Sequence, residues 1–134
     1  MKRTLIYRSG ATLLAATLTV GANAADYHTY EKAVFSDRTL EIGPYVQVNV
    51  DCSSKGRAEI RALSGPSSGS IRVIQKTFAT KFVGDFEHCT GRRVPGSFVI
   101  YRPNVGFTGS DELRLDVVSP SGSELIETYK ITVK

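Results

Sequence analysis

Residues 111–118 read DELRLDVV, residues 119–123 SPSGS and residues 124–133 ELIETYKITV. In the first stretch Leu113, Leu115 and Val117 fall on one side, and Arg114 and Asp116 on the other. In the last, Tyr129, Ile131 and Val133 fall on one side against Lys130, Thr132 and Lys134. Successive side chains alternate across a strand, so this period of two predicts two half-buried strands. The Ser/Pro/Gly cluster between them predicts a hairpin turn. Two strands with one apolar face each need a second layer to cover that face.

The same grammar continues upstream. Residues 97–102 (SFVIYR) predict a strand, and 103–109 (PNVGFTG) a tight connection. Residues 70–75 predict a strand led by Ile71 and Val73, preceded by a turn at 64–69 (SGPSSG). Residues 57–63 (RAEIRAL) alternate Ala58, Ile60 and Ala62 against Arg57, Glu59 and Arg61, and 52–56 form a loop. Residues 45–51 (YVQVNVD) set Val46, Val48 and Val50 on an inner face against Gln47, Asn49 and Asp51. Before Gly43-Pro44, residues 30–35 predict a first strand and 39–42 its continuation, with His28 in a frayed start. No segment has a convincing helical period. About seven or eight short strands, with turn signals every ten or so residues, predict an all-β antiparallel two-sheet sandwich.

The start of the chain reads as an address. Lys2, Arg3 and Arg8 supply positive charge, residues 11–20 (ATLLAATLTV) are uncharged, and Ala22-Asn23-Ala24 places small side chains around a cleavage point. This predicts a secretory signal peptide over 1–24, cut after Ala24, and a single domain over 25–134 in the periplasm or outside the cell. The apolar run falls short of the roughly 20 residues a bilayer span needs. The chain has 17 basic and 13 acidic residues. Three of the basic ones sit in the leader, leaving 14 against 13, so the hint of a nucleic-acid partner largely disappears. Hydrophobic residues at 41% and charged residues at 22% exclude a disordered chain.

Cys52 and Cys89 are the two cysteines, 37 positions apart. In an oxidising compartment one intramolecular disulfide is expected. An intermolecular bridge, free thiols, or a metal site with His28 and His88 remain the alternatives. No metal and no cofactor is expected.

Tyr101-x-Pro103-Asn104-x-Gly106-Phe107-Thr108-Gly109-Ser110-Asp111, the alternating Leu113, Leu115 and Val117, the Ser-Gly turn and the closing Tyr-x-Ile-x-Val strand resemble the bacterial Ig-like or cadherin-like sandwich modules. Residues 63–71, with Gly65-Pro66-Ser67-Ser68-Gly69, are similar to a turn of those modules. The resemblance covers roughly 42–134 and implies an Ig-like sandwich. Its parts make architectural sense: Pro103 lacks an N–H and ends a ladder, Gly106 and Gly109 permit sharp turns, Phe107 plugs the sandwich end, and Asp111 accepts turn N–H groups. Many such modules resemble calcium binders. Here the matching place, residues 51–57, keeps one carboxylate, Asp51, beside Lys55 and Arg57, short of the oxygen ligands calcium takes.

No nucleophile elbow, phosphate-binding loop, His-Glu-x-x-His or Cys-x-x-Cys occurs. Asp and Glu are expected on outward, solvated strand positions. Residues 76–96 exceed what a strand connection needs: Phe78 and Phe86 are expected to complete the core, and the tip at 90–95 to make contacts. The expectation is a non-enzymatic interaction module, monomeric or weakly oligomeric, that binds a protein partner. It has no membrane span, and His88, Thr90, Arg92 and Arg93 are the candidate contact residues. The alternatives are an inhibitor of an enzyme or of aggregation acting through the 76–96 loop, and an accessory subunit of a secreted enzyme.

Overall fold

The computed structural model describes residues 24–134. The expected leader therefore lies outside the described residues, apart from Ala24. The described residues form seven strands: β1 (Asp26–Val34), β2 (Leu40–Tyr45), β3 (Glu59–Ser64), β4 (Gly69–Ala79), β5 (Arg93–Pro103), β6 (Gly109–Val118) and β7 (Glu124–Val133). A short 3-10 helix, Gly84–Cys89, lies between β4 and β5. One sheet has the order β1-β7-β6-β3 and the other β2-β5-β4. The protein is an all-β sandwich, as the alternation predicts. No helix among the described residues is long and apolar enough to cross a membrane.

The β6–β7 hairpin stands where the period of two places it. Asp111 pairs with Ile131, Leu113 with Tyr129 and Val117 with Leu125. Leu113, Leu115, Val117, Tyr129, Ile131 and Val133 meet Ile42, Val99 and Tyr101 of the other sheet in the main core. Each such side chain contributes about 1.5–3 kcal/mol relative to exposure, so this seam holds the sheets together.

Asp111 locks one end. Its carboxylate accepts the Tyr101 hydroxyl at 2.7 Å, the Ser67 and Ser68 N–H groups at 2.9 and 3.1 Å, and its neighbour Glu112 N–H at 2.9 Å. Burial pushes this carboxyl upward, but the hydrogen bonds from Tyr101, Ser67, Ser68 and Glu112 outweigh it and hold it below the usual range. Phe107 packs against the core beside this corner. Gly106 and Gly109 both take positive φ, 78° and 132°.

A second, smaller core sits under the 76–96 segment. Val48, Cys52, Cys89 and Val94 are buried there, with Val46, Phe78, Phe82 and Phe86 packed around them. The Phe side chains thus turn inward, and the segment is β4 continued, the 3-10 helix and the start of β5. Cys52 and Cys89 form the expected disulfide, with an S–S distance of 2.02 Å. Gly96 lets Phe78 lie flat on β5: a Cβ there would stand 2.4 Å from the ring.

Several expectations fail for identifiable reasons. The sandwich is not wholly antiparallel: β1 runs parallel to β7, Asp26 opposite Leu125 through Val34 opposite Val133. His28 is therefore in a strand, not a frayed end. Residues 39–42 do not continue the first strand but open β2 in the opposite sheet, because the chain turns at Phe35 and Arg38. Residues 45–51 are not a strand beyond Tyr45. Only Val48 pairs, with Ser54, and Val50 is 76% exposed, because the chain folds back on itself to deliver Cys52 to Cys89. Ala62 is exposed, since β3 is an edge strand that loses register after it. Asp116 is not solvated but 2% exposed. Arg61, opposite it in the ladder, lies over it in an ion pair.

Candidate functional site

β1, an edge of the four-stranded sheet, and β2, an edge of the three-stranded one, line the same groove. A cavity of about 280 Å³ opens there, lined by Tyr30, Lys32, Glu41, Tyr45, Glu127 and Tyr129 among others. Its construction starts with a local defect. Along β2, Ile42 faces Val99, but the next paired residue is Tyr45, opposite Ser97. Regular alternation would turn Pro44 inward. The bulge at Gly43-Pro44 turns Tyr45 inward instead. Gly43 takes φ +124°, and a Cβ there would meet the Ser97 carbonyl at 3.1 Å, so the bulge depends on glycine.

On β7, Leu125, Glu127, Tyr129, Ile131 and Val133 occupy alternate positions, which places Glu127 on the core face. It is 5% exposed. Its Oε2 accepts the hydroxyls of both Tyr45 and Tyr129, the latter at 2.8 Å, and the two phenol oxygens stand 3.2 Å apart. Burial, and then the bonds to Glu127 and Tyr129, hold the Tyr45 phenol far above the ordinary tyrosine range, so it remains a donor. Tyr30, opposite Tyr129 on β1, stacks on that ring with centroids 5.2 Å apart, and the Lys32 ammonium stands 6.0 Å from the Tyr30 centroid. On the rim, Glu41 is held by Lys76 at 2.7 Å. The arrangement is a buried carboxylate floored by phenols, with an aromatic wall toward solvent.

The residues singled out from sequence lie elsewhere, at the disulfide end. Three of the four brace that loop. The His88 ring donates through Nε2 to the Val50 carbonyl. Thr90 Oγ1 accepts the Phe82 N–H at 3.0 Å and bonds its carbonyl at 3.2 Å. Arg93 donates to the Thr77 carbonyl at 3.1 Å. The Arg92 side chain makes no such bond among the described residues. His88 does lie close to both cysteine sulfurs, but the sulfurs are spent on each other. Asp51 accepts the Ser53 N–H at 3.0 Å and the Ser53 hydroxyl. Those bonds draw its carboxyl below the usual range.

Sequence reading placed Tyr129 on the core face but overlooked Glu127 and the other two tyrosines beside it. The signal was present: extending the inward set Tyr129, Ile131 and Val133 two residues backward lands a carboxylate on the core face. The partners Tyr30 and Tyr45 carried no local mark.

No family model matches the chain, and no curated protein matches it. Among solved structures, it is similar to the 2,6-sialyltransferase of Vibrionaceae Photobacterium sp. JT-ISH-224, seen in a ternary complex with the donor product CMP and the acceptor substrate lactose. The TM-score is 0.42 and the identity 12%, over 84% of this chain and 18% of that one. The chain thus spans under a fifth of that protein, and a likeness this slight carries no inference about activity.

Proposed function

We propose that this protein is an exported, non-enzymatic Ig-like interaction module that binds a protein partner by strand addition along β1. The observation behind this reading is the pairing of a free sheet edge with a groove. β1 has nine residues, eight of them exposed, and among the described residues only β7 pairs with it. An extended segment added there gains main-chain hydrogen bonds, and its alternate side chains reach inward. The other edges are less apt. β2 is bulged at Gly43-Pro44 and β3 is short and bulged after Ala62, both devices that blunt an edge. β4 is long but does not border the Glu127 groove.

A second reading places the contact at the disulfide-rooted tip, in the manner of an inhibitor loop. It is favoured by Arg92, whose side chain is exposed and makes no hydrogen bond among the described residues, on a segment anchored by Cys89. A photo-crosslinking amino acid at Thr29 on β1, at Arg92, or at Leu63 on β3 separates the readings. A discrete protein adduct from Thr29 alone supports strand addition. An adduct from Arg92 alone moves the site to the tip, and equal adducts from all three positions reject both. The amino-terminal sequence of the exported material is expected to begin at Ala25, and material still beginning at Met1 overturns the export reading.

A further inference from the structure

Resting on the strand-addition reading, we infer that the Glu127 groove receives a basic side chain, arginine or lysine, carried by the partner segment. Three observations point there. First, Glu127 is only half used. Oε2 takes the Tyr45 and Tyr129 protons, and the Tyr30 phenol, its pKa raised by burial and by the same carboxylate, stands beside them, while no hydrogen bond reaches Oε1 among the described residues. That oxygen is not sealed either: among the described residues, Asp116 Oδ1 is the buried side-chain polar atom without a partner, and Glu127 lines the cavity. A carboxylate oxygen open to a groove, and otherwise enclosed, calls for a charged donor.

Second, the wall is aromatic. Tyr30 is 37% exposed, backed by the Tyr129 ring and flanked by the His28 ring with centroids 6.2 Å apart, so a cation reaches it from the groove side, where Lys32 stands. Third, a cation already stands at the mouth. The Lys32 ammonium, 6.0 Å from the Tyr30 centroid, is at the outer limit of cation–π contact. It occupies the approach without reaching Glu127, to which it makes no ion pair. The rim carboxylate Glu41 is engaged by Lys76 and does not compete. An entering guanidinium or ammonium displaces Lys32 and bonds Oε1. An apolar side chain leaves that oxygen unpaired beneath it, a neutral donor pairs it without offsetting its charge, and an acidic one opposes it.

The test uses the mature chain with ring-labelled tyrosine, titrated with butylguanidinium, butylammonium and n-butanol. The ring signals of Tyr30, Tyr45 and Tyr129 are followed by NMR. Saturable shifts with either cation and none with n-butanol are expected. Glu127→Gln is expected to weaken the cation by roughly tenfold or more, and Lys32→Gln to tighten it severalfold. Equal response to n-butanol, or undiminished binding by Glu127→Gln, overturns the inference. If Glu127→Gln does not fold, Tyr30→Leu replaces it, with a severalfold loss expected and no loss overturning. A Thr29 adduct with no cation binding overturns the basic occupant and leaves strand addition standing. Cation binding without an adduct supports the groove's preference and removes strand addition.

Discussion

Asp111 is a single residue on which two chain segments converge. Replacing it with Asn removes the charge and at least one acceptor from a group that takes bonds from Tyr101, Ser67, Ser68 and Glu112. Asp111→Asn is expected to cost about 2–3 kcal/mol at neutral pH, measured by urea unfolding. The pH dependence has a defined sign. A carboxyl held below its unfolded value contributes stability that is complete above that value. The contribution is lost as pH falls through the folded one. The native protein should therefore weaken from about pH 4 downward, and the Asn variant should show a shallower acid limb. An identical acid limb in the two proteins contradicts the assignment. Gly96 offers the opposite kind of residue test. A methyl there meets the Phe78 ring at 2.4 Å, so Gly96→Ala is expected to cost about 1–3 kcal/mol by overpacking. Phe78→Leu in the same chain should recover part of it, because the ring is what the methyl meets.

Elements are joined at two places whose partners lie far apart in the chain. The disulfide ties the loop after β2 to the 3-10 helix before β5, closing 37 residues. Replacing both cysteines with serine is expected to lower stability by about 3–4 kcal/mol, read from the urea midpoint under oxidising conditions. A change under 1 kcal/mol would mean that the small core around Val48 and Val94 holds without it. At the other end of β2 the Gly43-Pro44 bulge aims Tyr45 at Glu127. Tyr45→Phe leaves the ring and removes one of the two hydroxyls that a buried carboxylate oxygen accepts, and is expected to cost about 1–2 kcal/mol. The loop at residues 49–53 is closed by its own bonds, with Asp51 on Ser53. Millimolar calcium is therefore expected to leave the melting temperature unchanged, and a marked rise would show that this loop takes the ion.

Across the whole molecule, the strands contribute unequally. β1 is exposed except at Val34, whereas β7 carries Ile126, Glu127, Tyr129, Ile131 and Val133, all buried. A chain beginning at Val34 is expected to unfold cooperatively at a lower urea concentration and to lose the Thr29-side capture. A chain ending at Ser123 is expected to show no cooperative transition by tyrosine fluorescence. Much of this architecture was legible from residues alone. Alternation in 111–118 and 124–133, with turn residues between, determined which side chains face a core, and the apolar run at 97–102 marked a further strand, because the period of two is a local property of the backbone. Two cysteines allowed one intramolecular bridge, and that bridge forms. Tertiary structure decided the rest. Whether β1 pairs with β7, and in which direction, depends on contacts about a hundred residues apart. Whether Asp116 is solvated depends on Arg61 lying over it. The groove draws on positions 30, 45, 127 and 129, which no window of sequence contains together. Alternation tells a carboxylate which way to point; only the folded sheets determine what it finds there.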